Sequence, residues 1–501
     1  MSRSRNVLFR CDAGSRMGVG HAVRCLALGN ALAREGWRCS FAVNNQFAES
    51  LPYGANPEFE IIEATGDSPW NADALYSRWP DGFEVAVVDH YDLDAKFDSS
   101  IKGWAKRVAV IDDLIDREHD CDILLCSAPP AGATADNIGS EITLLGPDYA
   151  LLRDQFAHAR AIKLLKKTES NSPLHVHIAL GGSPQSALLR NIVEGLALAG
   201  PPLDAVVVGG TPDDLSQIAT HVNFERIAAA SDMAGEMARA DIAVGACGGS
   251  AWERAALGLP SLALALVDNQ IHVARALADA QAAIVMVQGV TATAEQICEA
   301  VRSLIEDEKL RTAMSARALR LCDGLGVRRF VLAIDPERDL NGCAIGLRRA
   351  RAADRESLHE LQRHPDTRRF ANNPEIPSRE EHQAWFGNRL LDPKTLLLII
   401  TSAGQSAGFV RLDLFQRDGH PAWLVSIGIA PDMKKRGIAI AALRSVRRLQ
   451  PDDPFIADVH PDNAASQALF QSAGYDRVGD RTFVSSAEAM TAASHATEDV
   501  A

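Results

Sequence analysis

Short apolar runs alternate with helical segments along the first third of the chain, and that alternation restricts the possible folds more than any other feature. The candidate strands are Val7–Arg10, Ser40–Val43, Val85–Val88, Val108–Ile111 and Ile123–Leu125. Strands spaced by helices imply a parallel sheet wrapped by those helices. In such sheets the ligand-binding groups gather at the carboxyl ends of the strands. Those ends carry Cys11-Asp12, then Asp89-His90-Tyr91, then Asp112-Asp113. One aspartate at such a place commonly caps the next helix. Three polar clusters after three apolar strands are expected to converge on one edge.

The first of these turns is the richest. Asp12 to Arg24 reads D-A-G-S-R-M-G-V-G-H-A-V-R and precedes an amphipathic helix containing Leu26, Leu28 and Leu32. Gly14, Gly18 and Gly20 let the backbone turn tightly and approach a ligand. His21 falls in the first helical turn, with Arg24 one turn further on the same face. An imidazole there can act as a general base, and the positive helix end beside it attracts phosphate. A glycine-rich turn with a surface histidine is the plain alternative from these residues alone.

The alternation resumes after the Lys- and Ser-containing segment Lys163 to Ser172. Strand His175–Leu180 leads to Gly181-Gly182-Ser183, Ala205–Val208 to Gly209-Gly210, and Ile242–Val244 to Gly245 through Ser250. A helix starting near Ser250 carries Trp252, Glu253, Arg254 and Leu257 and ends at Gly258. Glycine turns that open helices cradle phosphates. Neither G-x-G-x-x-G in a strand–helix unit nor G-x-x-x-x-G-K-[ST] is present, so neither the dinucleotide fingerprint nor the P-loop is satisfied. Two such units with facing turns suit a cleft for a nucleotide-linked substrate.

Composition narrows the classes. The 501 residues carry a net charge of −14, which argues against a nucleic-acid or anionic-membrane binder. A hydrophobic fraction of 47% provides ample core, yet no run of about 18 apolar residues occurs. Met1 to Asn6 is basic without a signal-peptide core, so a cytoplasmic location is expected. The nine cysteines are scattered, with no C-x-x-C pair and no zinc spacing. Most are expected to be reduced core residues, and no metal site is expected.

Several motifs together resemble one family. They are G-x-G-H-x-x-R at Gly18 to Arg24, D-H-Y at Asp89 to Tyr91, I-D-D-L-x-x-R-x-H-x-C-D-x-L-L at Ile111 to Leu125, L-L-G-P-x-Y-A-L-L-R at Leu144 to Arg153, and G-G-S-x-W-E-R-x-x-L-G-L-P-S-L at Gly248 to Leu262 with Asp268 to Gln270. In this order they resemble the UDP-sugar hydrolases of pseudaminic acid biosynthesis, relatives of two-domain GT-B-type glycosyltransferases. The resemblance implies metal-independent water attack, with inversion, at the anomeric carbon of a UDP-diacetamido-trideoxy sugar. It implies His21 as the base, with Tyr91 and Asp89 shaping the sugar and water site. Asp12, Gly20, Arg24, Gly182, Ser183, Gly248, Gly249, Ser250, Glu253 and Asn269 would bind substrate or UDP, Glu253 through the ribose hydroxyls. Two stretches depart from the family: Pro184-Gln185 stands where Asp-Pro is usual, and Cys126-Ser127-Ala128 where D-Q-N is usual.

From Cys343 the pattern changes. Strand Ile345–Arg348 and helix Asp354–Gln362 precede a helical segment containing His382, Trp385 and Phe386. Strands Leu396–Thr401, Ser406–Asp413 and Ala422–Ile429 follow, then Pro431 to Ala439 and helix Ile440–Leu449. Lys434-Lys435-Arg436-Gly437-Ile438-Ala439 resembles the acetyl-CoA pyrophosphate loop of GNAT N-acetyltransferases, Q/R-x-x-G-x-G/A, with Lys434 in the first position. Asn463, Ser466 and Gly474-Tyr475 match that family's second motif. The resemblance implies acetyl-CoA as cosubstrate, held by Ile429, the loop residues, Asn463 and Ser466. Phe470 occupies the place of the tyrosine that protonates the leaving thiolate, and a phenyl ring has no proton to donate. His382 and His460 are candidate bases for the amine.

The expected organisation is α/β: a GT-B-like pair of Rossmann-type domains (1–162 and 163–331), a linker (332–342), an α+β GNAT domain (343–484) and a disordered tail (485–501). The expected function is acetylation of a UDP-4-amino sugar followed by hydrolysis of the product, the UDP-amino sugar being the partner molecule. A GT-B-type glycosyltransferase, or a nucleotide-sugar sensor with a degenerate GNAT module, stays open at this point.

Overall fold

The computed structural model describes residues 5–14, 18–50, 59–64, 70–134, 138–166, 173–181, 186–209, 222–228, 230–371 and 373–485. The chain divides into two compact units, one of Met1–Arg160 with Thr168–Val331, the other of Ala161–Lys167 with Leu332–Ala501.

The first unit contains two parallel sheets. The first sheet is built from β1 (Asn6–Cys11), β2 (Arg38–Val43), β3 (Glu60–Glu63), β4 (Phe83–Asp89), β5 (Ala105–Ile111), β6 (Ile123–Cys126) and β7 (Ile142–Leu145). Their order is β3-β2-β1-β4-β5-β6-β7. The central strands are buried on both faces, as helices packed on either side of a parallel sheet require. The strand order reverses between β1 and β4, and there Cys11 lies in register with Asp89. Such a reversal opens a crevice at the carboxyl ends of the strands. The five expected strands are all present. β3 and β7 are additional; β3, a short edge strand, carries little apolar signal, Glu60–Glu63 reading E-I-I-E.

The second sheet comprises β8 (Leu174–Ala179), β9 (Leu203–Val208), β10 (Asn223–Ile227), β11 (Ile242–Ala246), β12 (Ser261–Leu264) and β13 (Ile284–Met286), in the order β10-β9-β8-β11-β12-β13. Its reversal lies between β8 and β11, pairing Ala179 with Gly245. The two sheets thus repeat one Rossmann-type topology.

The second unit holds a mixed sheet of β14 (Ile345–Arg349), β15 (Thr395–Ser402), β16 (Gln405–Arg417), β17 (His420–Ile429), β18 (Phe455–Asp458), β19 (Asp476–Arg477) and β20 (Thr482–Ser485). The order is β14-β15-β16-β17-β18-β20-β19. Ala403-Gly404 and Asp418-Gly419 have positive φ at both positions, which supplies the tight turns of the β15–β16 and β16–β17 hairpins. At the Asp-Gly turn β16 runs on to Arg417, past its expected end at Asp413, and β17 starts at His420 rather than Ala422.

Two expectations about the segments flanking this unit need correction. The expected linker begins inside a helix, Gly326–Ile334, whose Val327, Phe330 and Val331 are buried. Ser485, expected to open the disordered tail, instead ends β20 and is buried. The remainder of that tail, 486–501, lies outside the described residues. All nine cysteines are unpaired, and eight are buried, consistent with reduced core residues.

Candidate functional site

At the first reversal, the helix Gly20–Arg34 begins behind a glycine turn closed by paired backbone hydrogen bonds between Gly14 and Gly18. Gly14 and Gly18 have φ of 141° and 77°, and the left-handed value at Gly18 is one that side-chain-bearing residues resist. His21 and Arg24, three positions apart, both reach the carboxylate of Asp89 at the end of β4. His21 Nδ1 lies 2.6 Å from Asp89 Oδ1, and Arg24 donates through Nε to Oδ2 at 2.6 Å and through Nη2 to Oδ1 at 2.5 Å. The Cys25 thiol adds a fourth donor at 3.4 Å.

Asp89 is fully buried, which opposes its ionisation. The charge of Arg24, then that of His21, outweighs the burial and holds the carboxyl well below its ordinary range. An ionised Asp89 accepts only, so His21 Nδ1 carries a proton, and in the neutral form of the ring the lone pair is therefore on Nε2. That is the tautomer a general base needs, held as in a Ser-His-Asp triad. Arg24 Nη1 also donates to Asp113 Oδ2 at 2.6 Å. The carboxyl ends of β4 and β5 therefore meet at one arginine, carried by the helix that follows β1.

Tyr91 packs edge-on against the His21 ring at 4.6 Å between centroids. Its hydroxyl accepts from Asn269 Nδ2 at 2.9 Å, which joins the two sheets' strand ends. Burial, then the charge of Asp113, pushes the phenol pKa up, so the hydroxyl keeps its proton. Asn269 belongs to the turn Asp268–Gln270, and the Nε2 of the adjacent Gln270 lies beside Gly248. From Gly248 starts the helix Gly249–Ala256, whose N-terminus has no side-chain cap. The backbone N–H groups of Gly248, Gly249 and Ser250 donate to nothing among the described residues. Glu253, one turn further, accepts from Arg153 Nη2 at 3.1 Å through one oxygen.

The structure thus brings His21, Arg24, Asp89, Tyr91 and Asn269 into one connected cluster, linked through Gln270 to Gly248. Gly182 and Ser183 lie outside the described residues. Asp12 stands at the end of β1. Its carboxylate is engaged by Arg10 at 2.6 Å and by His90 Nε2 at 3.0 Å, which ties the ends of β1 and β4 together. Burial opposes its ionisation, but the hydrogen bonds from His90 and Arg10 hold its pKa well below the usual range. Arg153 and Gln270 had no assigned role from sequence. Both lie within quoted motifs, but nothing local shows that an arginine ending one motif meets a glutamate a hundred positions on.

In the second unit, Gly437 caps the helix Ile438–Leu449 with φ of 78°, and Lys435 is also left-handed at 62°. The backbone N–H groups of residues 435–440 donate to nothing among the described residues, so consecutive donors point out of the loop. β17 pairs with β18 at only Trp423–Phe455 and Leu424–Ile456, after which the two strands diverge toward Ile429. A slot between splayed parallel strands, leading to an open helix N-terminus, fits an extended thioester-bearing diphosphate such as acetyl-CoA. Lys434 pairs with Asp366 at 2.9 Å. Asn463 caps its own helix, its Oδ1 accepting from the backbone N–H of Ser466 at 3.1 Å. Phe470 is buried against Tyr475 and Phe483. His382 is buried in a stack with His359, Trp385 and Phe386, while His460 sits at the surface against Phe370. Burial, then the neighbouring His359, lowers the His382 pKa to about 4.

Residues 345–476 match the acetyltransferase (GNAT) domain family. The C-terminal unit carries a GNAT domain. The N-terminal part is homologous to two curated proteins. The chain is 29% identical over 199 residues to the spore coat polysaccharide biosynthesis protein SpsG of Bacillus subtilis, covering 37% of this chain and 55% of the relative. It is 28% identical over 156 residues to the UDP-2,4-diacetamido-2,4,6-trideoxy-beta-L-altropyranose hydrolase of Campylobacter jejuni, covering 30% and 53%. The chain therefore spans about half the length of these relatives. Among solved structures, MurG of Acinetobacter baumannii superposes with a TM-score of 0.49 at 15% identity, over 66% of this chain and 99% of that one. AAC(6')-Ib in complex with ribostamycin and coenzyme A superposes with a TM-score of 0.26 at 16% identity, over 29% and 96%.

Proposed function

We propose that the first unit hydrolyses the anomeric bond of a UDP-diacetamido-trideoxy sugar, and that the GNAT domain acetylates the UDP-4-amino sugar that precedes it. The Asp89–His21 pair beside Tyr91 carries this reading. Homology to the Campylobacter hydrolase supports the substrate class.

In the proposed reaction, His21 Nε2 accepts a proton from water as the water oxygen bonds to the anomeric carbon. The bond from that carbon to the UDP oxygen breaks on the opposite side, giving the inverted free sugar and UDP. Asp89 keeps Nδ1 protonated and stabilises the imidazolium that forms. The charge gathering on the leaving diphosphate is met by the N–H groups of Gly248, Gly249 and Ser250. Glu253, oriented by Arg153, accepts from the ribose hydroxyls, and Tyr91 with Asn269 lines the sugar site.

In the GNAT domain, Gly437, Ile438 and Ala439 present their N–H groups to the diphosphate of acetyl-CoA, and the end of β17 at Ile429 runs along its thiol-bearing arm. Acetyl-CoA supplies an activated acyl group to the sugar amine. Phe470 donates no proton, so the thiolate is protonated by water or by the amine itself.

An NMR time course with the UDP-4-amino sugar, with and without acetyl-CoA, tests both halves. UDP and acetylated free sugar should appear only with acetyl-CoA. Hydrolysis of the pre-acetylated UDP-sugar alone would leave the GNAT domain without this role, and transfer to an added acceptor in place of water would mark a glycosyltransferase.

A further inference from the structure

Arg254 follows Glu253 on the helix Gly249–Ala256, and the reaction proposed above does not use it. Its side chain is 1% exposed. Nη2 donates to the Ala246 carbonyl at 2.7 Å and Nη1 to Ser250 Oγ at 3.3 Å. Gly245 on β11 makes the room, since a Cβ there would lie 2.6 Å from Nη1.

This guanidinium forms no salt bridge among the described residues: burial lowers its pKa, the nearby Cys247 and Glu253 do not outweigh that burial, and the Glu253 carboxylate is held by Arg153. Arg254 Nε is buried without a partner, as are both ring nitrogens of His177. Burial, then the charge of Arg254, pushes the His177 pKa down to about 4, so that ring is neutral and adds no second positive charge. A buried cation without a counter-ion is strongly unfavourable, and an anion bound beside it would offset that cost. The unused N–H groups of Gly248, Gly249 and Ser250 lie at the start of the same helix.

We infer that Arg254 is a positioning residue for a nucleoside diphosphate: it turns the Ser250 hydroxyl toward the diphosphate and provides the buried countercharge beneath it. The inference rests on the nucleotide-sugar reading of this unit. Because Nη1 fills one lone pair of Ser250 Oγ, the hydroxyl proton points away from Arg254 and is available to a phosphate oxygen. Holding Ala246 and Ser250 together also fixes the turn from which the three N–H groups project.

Calorimetric titration of the full chain with UDP, uridine and inorganic pyrophosphate tests this. Arg254→Met should weaken UDP and pyrophosphate by about tenfold or more and leave uridine unchanged. The ligand-free melting temperature should hold or rise, because an uncompensated charge is removed. Ser250→Ala should shift the affinities in the same direction, and the double variant should bind no more weakly than Arg254→Met alone. Arg254→Lys should recover part of the loss. If Arg254→Met does not fold, Ser250→Ala and Arg254→Lys carry the test. Equal weakening of UDP and uridine, or unchanged UDP binding in the variants, overturns the inference while the nucleotide reading stands. A wild-type chain that binds neither UDP nor pyrophosphate overturns both.

Discussion

His21 and Asp89, 68 positions apart, meet at 2.6 Å through Nδ1 and Oδ1. The contact joins the first turn of a helix to the last residue of a strand, and it decides which nitrogen of His21 carries a lone pair. Replacing His21 with Asn should lower kcat for UDP-sugar hydrolysis on the order of 10²–10⁴-fold, with UDP affinity unchanged. Steady-state kinetics beside UDP titration checks the split. A variant that keeps turnover would remove His21 from the chemistry.

Asp89→Asn should lower kcat by a similar order, because an amide does not enforce the base tautomer. It should also cost stability, since Arg24 loses a buried carboxylate, an effect of about 3–5 kcal/mol where one partner of a buried pair is removed. Urea unfolding of both proteins, with kinetics measured well below the transition, separates the two effects.

Glu253→Gln is expected to raise KM for the UDP-sugar about tenfold with little change in kcat, since ribose contacts are made equally in ground and transition states. A fall in kcat with unchanged KM would place Glu253 at the reacting centre instead.

Stability should fall on the alkaline side through His119. Burial opposes its charge, but the carboxylate of Asp112, 3.4 Å from Nε2, and that of Asp98, which accepts from Nδ1 at 2.7 Å, raise its pKa from 6.5 to about 9. A raised histidine contributes stability that is fully present below its unfolded pKa and is lost as pH climbs through its folded one. Unfolding free energy should therefore decline between pH 6.5 and about 9. The His119→Gln protein should show a flatter profile across that window in denaturant titrations, and an equal slope in both proteins would dismiss the assignment.

Gly437→Ala should weaken acetyl-CoA binding and destabilise the GNAT domain by about 1–2 kcal/mol, the usual penalty for a left-handed non-glycine residue. The added Cβ would also meet Leu340 Cγ at 2.9 Å. Leu340→Ala in the same background relieves that clash but not the φ strain, so it should restore only part of the loss in thermal unfolding and acetyl-CoA titration.

The strand–turn–helix alternation and the glycine turns were readable locally, because burial periodicity and turn chemistry act between near neighbours in the chain. His21 with Arg24 on one helical face follows from the 3.6-residue repeat alone. Short edge strands such as Glu60–Glu63 were not readable, since edge pairing requires little apolar character. The partners of Asp12 were not readable, because an acidic residue at a strand end looks the same whether it awaits a ligand or is engaged by Arg10 and His90. The capping bond of Asn463 was hidden likewise, since a helix cap and a ligand contact draw on the same residue types.

Two Rossmann-type halves, an acetyltransferase loop and the residue types of the candidate site were therefore determined by the sequence by itself. Only the tertiary structure decided the partners: Asp89 for His21 and Arg24, Tyr91 for Asn269 across 178 positions, Arg153 for Glu253, and a guanidinium without a counter-ion beneath the Ser250 turn. Those pairings depend on strand order and register, where a one-residue slip turns every side chain to the opposite face. Local sequence sets which groups are present, and the sheet reversals set which of them meet.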